Sequence, residues 1–132
     1  MTQPAIDSIS PCFVVKDAAA AVAFYCDKLG FDVTFQQPEQ DRFFAIVCRG
    51  EAMLMVKAVG VDPIPNRTRH PWAPWDAYVN VPDPDAPADE FASRGVIFSV
   101  PLKDTTDGLR GFELKDVDGY VLFFGRPRVG SN

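Results

Sequence analysis

The chain has 132 residues, 47% hydrophobic and 23% charged, which suits one domain with its own core and little more. Its formal net charge of −5 supplies no concentrated basic face, which argues against a nucleic-acid partner. No apolar run approaches the ~20 residues that span a bilayer, and MTQPAIDSIS lacks the basic and apolar regions of a signal peptide, so a cytoplasmic protein without a membrane partner is expected.

In chain order, IDSISPCFVV reads as a short strand and KDAAAAVAFYCDKLG as a helix. Asp17 is suited to cap that helix, because its carboxylate can accept the unpaired amide hydrogens of the first turn. Val22, Tyr25 and Leu29 then form one apolar stripe, and Gly30 suits the left-handed position that ends a helix. FDVTFQQ, DRFFAIVCRG and EAMLMVKAV follow as three strands, the last two joined by a hairpin at Gly50.

VGVDPIPNRTRHPWAPW breaks the pattern. It has four prolines and no periodicity, and reads as a long connection. It also holds the only histidine, His70, and both tryptophans, Trp72 and Trp75.

Beyond it the first pattern returns. AYVNV is a strand, PDPDAPADEFASRG a helix capped by Asp83 or Asp85 and stopped by Gly95, VIFSVP a strand, and GFELKD with YVLFFG a hairpin around Asp118-Gly119. Asp17 matches Asp83, Gly30 matches Gly95, and Arg42-x-Phe44 matches Arg110-x-Phe112. The simplest description is α+β, with two tandem βαβββ modules at about 6–58 and 76–127 and a connection at 59–75, in a single domain over 1–132. The cysteines Cys12, Cys26 and Cys48 are odd in number and form no C-x-x-C pair, which favours reduced thiols over a disulfide framework.

VVKDAAAAVAFYCDKLGFDV near the start and GFELKDVDGYVLFFGRP near the end resemble the glyoxalase/bleomycin-resistance/dioxygenase superfamily, the vicinal oxygen chelate proteins. With the spacing between them they cover almost the whole chain. The resemblance implies that each module curls its sheet into half of an open barrel, with a cleft enclosed between the halves. It does not fix an activity, because the fold hosts lyases, epimerases, dioxygenases and drug-binding proteins.

Enzymes of that superfamily hold a divalent metal with four side chains from four strands. Carried over, those positions fall on Ser10, Asp76, Met55 (or Leu54) and Phe123. Only Asp76 is a good hard ligand, and a catalytic site needs about three nitrogen or oxygen donors from the protein. His70 lies six residues ahead of Asp76 on the connection, off these positions. The resemblance therefore implies a member without the metal site, and no cofactor is expected.

Strand alternation assigns the cleft its side chains. Ser10 and Cys12 share one side of the first strand, with Phe13 and Val15 on the other. Asp76, Tyr78 and Asn80 oppose Ala77, Val79 and Val81, a clean split of polar against apolar. Val121 and Phe123 face the cleft, and Glu113 looks inward between Phe112 and Leu114. The expected site is Ser10, Cys12, Met55, Trp72, Trp75, Asp76, Tyr78, Asn80, Glu113 and Phe123, apolar walls with a few fixed polar groups. Cys12 is expected to be a buried, inert thiol. The tryptophans are candidates for core, for a subunit contact, or for stacking on a planar ligand.

The leading expectation is a homodimeric, metal-free protein that sequesters a small organic molecule, with aromatic cations first among the candidates, as in bleomycin resistance. The rival is a lyase, isomerase or dioxygenase of the same superfamily. It would use a shifted metal site on Asp76, Glu113 and His70, or Asp76 or Glu113 as a general base. A third reading is a domain that only dimerises or regulates.

Overall fold

A computed structural model describes residues 3–37 and 43–128. Its elements run β1 (Cys12–Val14), α1 (Ala18–Asp27), β2 (Asp32–Gln37), β3 (Phe44–Arg49), β4 (Ala52–Lys57), α2 (Asn66–Arg69), β5 (Ala77–Asn80), α3 (Asp85–Ser93), β6 (Phe98–Asp104), β7 (Leu109–Lys115) and β8 (Val121–Pro127). Two four-stranded sheets result, in the orders β1-β4-β3-β2 and β5-β8-β7-β6. In each, the first and last strands of the unit pair in parallel, and the remaining pairs are antiparallel. The tandem βαβββ reading is the observed topology, and both sheets are open.

The helix signals hold in the first unit and shift in the second. Asp17 accepts amide hydrogens from Ala19 and Ala20, and Gly30 and Gly95 take φ values of 71° and 84° after their helices. In α3 the N-cap is Pro84, with no side-chain cap bond; Asp83, one residue ahead of it, instead accepts the Asp85 amide hydrogen. β1 begins only at Cys12, because the residues ahead of Pro11 lie off the sheet with Ile6 and Ile9 almost fully exposed. The connection contains a one-turn helix, α2, that its sequence did not announce. Arg42, matched above to Arg110, lies outside the described residues.

Strand alternation separates the two faces of each sheet. Ala45, Val47, Leu54 and Val56 of the first sheet and Phe112, Leu114, Leu122 and Phe124 of the second join one buried cluster with the stripe Val22, Tyr25 and Leu29 of α1. The other face of each sheet is its free face.

A buried polar latch ties the units together. The Tyr25 hydroxyl donates to Asp116 Oδ2 at 2.6 Å, while Asp116 Oδ1 accepts the amide hydrogens of Asp118 and Tyr120. Asp118 accepts the Lys16 amide hydrogen, and Tyr120 donates to the Val14 carbonyl with its ring stacked on Phe13. Across the other end, Arg49 makes a two-pronged pair with Glu90 and donates to the Leu29 carbonyl.

Burial raises the Asp116 carboxyl from its usual 3.8 to about 6, against the lowering effect of its three donors. The folded state therefore holds this proton more tightly than the unfolded chain does. The resulting stability is fully present below about pH 4 and is lost as pH rises through about 6. Between pH 4 and 6.5, thermal melts of the native protein should lose stability relative to Asp116→Asn, and the gap should stay constant above that range. Tyr25→Phe, which strands Asp116 Oδ2, should lower stability by about 1–3 kcal/mol in denaturant titrations at neutral pH.

Candidate functional site

Phe123 occupies the centre of the second sheet's free face, where the resemblance would place a metal ligand. Its ring lies flat because the strands beneath carry no side chains: Gly111 and Gly125 are direct cross-strand partners in β7 and β8. A Cβ built on Gly111 would come within 2.7 Å of the Phe123 ring, and one on Gly125 within 2.5 Å. Two glycines facing each other in mid-strand thus form a trough for one aromatic side chain.

Trp75 and Tyr78 close over that ring. The Trp75 and Phe123 rings stack with centroids 5.1 Å apart, and Tyr78 and Phe123 with centroids 5.5 Å apart. Trp75 and Tyr78 meet at 5.2 Å, tilted by 57°. The trio buries Phe123 to 3% exposure and leaves Trp75 and Tyr78 half-buried, each with surface still open to a planar molecule.

The strap that delivers Trp75 is held by Asp76. Its Oδ1 accepts the Asn66 amide hydrogen and its Oδ2 accepts that of Val121, both at 2.8 Å. One carboxylate therefore joins the start of α2 to the start of β8. The Asn66 side-chain amide adds a bond to the Trp75 carbonyl.

Glu113 is also engaged. Arg67 of α2 grips it with two parallel bonds of 3.0 Å, one to each oxygen, and Ser99 donates to Oε1 at 2.8 Å. The Glu113 side chain is only 5% exposed and that of Arg67 34%. Arg67 further donates to the carbonyls of Ala73 and Pro74, so it braces the strap from within. Hydrogen bonding to Glu113 is the main cause that holds the Arg67 guanidinium above its usual pKa.

These bonds engage both carboxylates expected in the cleft. Both oxygens of Asp76 and both of Glu113 already accept protein donors. His70 is exposed, and its Nδ1 accepts the Trp72 amide hydrogen. The shifted metal set Asp76, Glu113 and His70 does not form; among the described residues no three His, Cys, Asp or Glu side chains converge to hold an ion. The four carried-over positions also fail to fit a hard divalent metal, since Phe123 fills its position with a packed ring and Asp76 is committed to backbone.

The remaining expected site residues are divided between places. Tyr78 and Asn80 line a cavity of about 310 Å³ at the seam between the sheets, with Met53 of β4 opposite them. Asp76 and Cys12 border a separate cavity of about 380 Å³ beneath the strap. Ser10 is half-buried just ahead of β1, and Met55 is half-buried on the first sheet's free face. Cys12 is exposed, so the buried thiol expected from sequence is corrected: β1 is an edge strand, and Cys12 sits on its free side. Trp72 is 85% exposed and takes no part in the aromatic trio.

Sequence reasoning missed Arg67, Ser99 and the paired glycines. Only the glycines left a signal, one in each strand of the final hairpin.

Removing the clamp should release the strap. Asp76→Ala leaves two backbone N–H groups without their acceptor and should cost about 1–3 kcal/mol. Its Trp75 emission should shift to the red in fluorescence spectra taken while circular dichroism remains native.

A family model described as "Glyoxalase/Bleomycin resistance protein/Dioxygenase superfamily" matches residues 5–124. Among solved structures, the chain is similar to TioX from Micromonospora sp. ML1, at 22% identity and TM-score 0.70, covering 95% of this chain and 99% of that one. It is similar to the bleomycin-binding protein of Streptomyces verticillus complexed with copper(II)-bleomycin, at 27% identity and TM-score 0.67, covering 94% and 97%. It is also similar to the bleomycin resistance determinant of transposon Tn5, at 22% identity and TM-score 0.72, covering 94% and 100%. No curated protein matches the chain.

Proposed function

The chain belongs to the glyoxalase/bleomycin resistance protein/dioxygenase superfamily, and from that membership we propose that it sequesters a small planar organic molecule without transforming it. The aromatic trio Trp75, Tyr78 and Phe123 carries this reading, since it stands where an enzyme of the family would need a metal ligand. Likeness to proteins that bind bleomycin supports a binding role, with resistance or storage as the effect.

The engaged carboxylates refine the ligand. With Glu113 neutralised by Arg67 and Asp76 saturated by backbone, positive charge on the ligand is not a requirement of the second sheet's face. Stacking area is the main source of affinity, and a cation gains only what the ring faces of Trp75 and Tyr78 give it, about 0.5–2 kcal/mol. The reading does not include a hard divalent metal or a cofactor.

The three cysteines are unpaired with one another, which supports a reducing, cytoplasmic setting. No helix among the described residues is long and apolar enough to cross a membrane. We further propose a homodimer with Trp72 as one anchor, because a tryptophan at 85% exposure on a proline-stiffened strap suits an interface hot spot. Sedimentation should give a dimer that Trp72→Ala weakens; a monomer at all concentrations would remove this part of the reading.

A panel of planar aromatics, neutral and cationic, should quench tryptophan emission and raise the melting temperature. Trp75→Leu should abolish both effects while Trp72→Phe retains them. If no member of the panel moves either signal, or if protein purified without chelator carries about one Zn, Fe, Ni or Mn per chain, metal-free sequestration is wrong.

A further inference from the structure

Two of the chain's three cysteines, and both methionines other than Met1, fall on a single face of the first sheet. In the strand register Cys12 of β1 stands directly opposite Met55 of β4, and Cys48 of β3 directly opposite Met53. Met53 and Met55 are two residues apart on one strand and so point the same way. The intervening Leu54, with Phe13 and Val47 beside Cys12 and Cys48, points into the core. Four sulfur side chains therefore form a band across three adjacent strands on the free face.

The band is open to solvent. Cys12 and Met53 are exposed, and Cys48 and Met55 are half-buried. At the Cys48 end, oxygen donors are close: Thr34 Oγ1 lies 3.7 Å from the sulfur, and Asp32 is the cross-strand neighbour. At the Cys12 end the cross-strand neighbour is a thioether; Asp62 and Asp76 border the cavity beside Cys12, and both oxygens of Asp76 are taken by backbone N–H groups.

Thioethers are soft donors that hold Cu(I) and its analogues rather than Mg or Ca, and one thiolate without a second thiolate or an imidazole falls short of the donor set of a zinc site. In the parallel β1–β4 pair, opposed residues stand about 4.7–4.9 Å apart and diagonal ones about 8 Å. Metal–sulfur bonds of about 2.3 Å bring two sulfurs to within roughly 4–4.6 Å of each other. The Cys12–Met55 pair meets that requirement across the strands, and the flexible Met53 can reach the same point from the diagonal.

We propose that this face binds one soft monovalent cation, Cu(I) or its analogue Ag(I), through the Cys12 thiolate and the thioethers of Met53 and Met55. Binding displaces the Cys12 thiol proton to solvent, and no electron is transferred, so the ion enters and leaves as the monovalent form. The site lies on the other sheet from the aromatic trio and does not rest on the sequestration reading.

The test uses reduced full-length protein with ¹³C-methyl methionine, titrated with silver nitrate in chloride-free buffer under argon. At one equivalent the Met53 and Met55 methyl resonances should move while Met1 stays. Cys12→Ser should abolish both shifts, and Cys26→Ser should leave them intact. Met53→Leu with Met55→Leu keeps every thiol and the apolar volume, so a native melting curve is expected. That variant should nevertheless bind Cu(I) roughly tenfold or more weakly in competition with a chromogenic chelator. Unmoved methyl resonances overturn the proposal and leave the band as apolar surface with reactive thiols. Shifts that survive Cys12→Ser but vanish in Cys48→Ser or Cys26→Ser overturn the assignment to Cys12. Quenching of Trp75 by the aromatic panel is read separately, so loss of either site leaves the other testable.

Discussion

Everything on the second sheet's free face depends on how one carboxylate, Asp76, satisfies backbone. A proline-rich connection has few ways to hold itself down, because four of its residues lack an N–H and it has no strand partner. Asp76 supplies the missing tie by accepting from Asn66 and Val121 at once. That fixes α2 against β8, which in turn sets Arg67 over Glu113 and Trp75 over Phe123. The aromatic platform is downstream of this bond pair, and its geometry is only as firm as the clamp.

The electrostatics follow the same logic. A carboxylate as buried as Glu113 would be costly if left alone, and a free one would favour cationic ligands. Arg67 removes both consequences with a planar two-bond grip, and Ser99 fills a further acceptor position. The face is left electrically quiet. On the function proposed above, recognition there rests on ring area and fit.

Much of the fold was legible because it is written in local chemistry. Asp17, the stripe Val22–Tyr25–Leu29 and the stops at Gly30 and Gly95 act within a few residues of themselves, and strand alternation sorted Tyr78 from Val79 and Phe123 from Phe124. The site was less legible, because its decisive partners are far apart in sequence. Arg67 and Glu113 are 46 residues apart, and Tyr25 and Asp116 are 91. Nothing local to Glu113 says that a guanidinium will arrive. The exposure of Cys12 was missed for a related reason: β1 is an edge strand that forms only after Pro11, which a run of strand-forming residues does not reveal.

The trough under Phe123 has an implication for how such a site can change. The ring lies flat because Gly111 and Gly125 are small, and a Cβ on either would strike the facing backbone, at Phe124 and Arg110, as well as the ring. Replacing Phe123 by a short carboxylate would open a gap over two bare strands, and filling either glycine first would strike the ring. That gap could not be filled from below, because both strands must stay bare whatever lies on them. A short side chain in place of Phe123 would therefore sit underpacked over the trough, and the large ring is held there by packing.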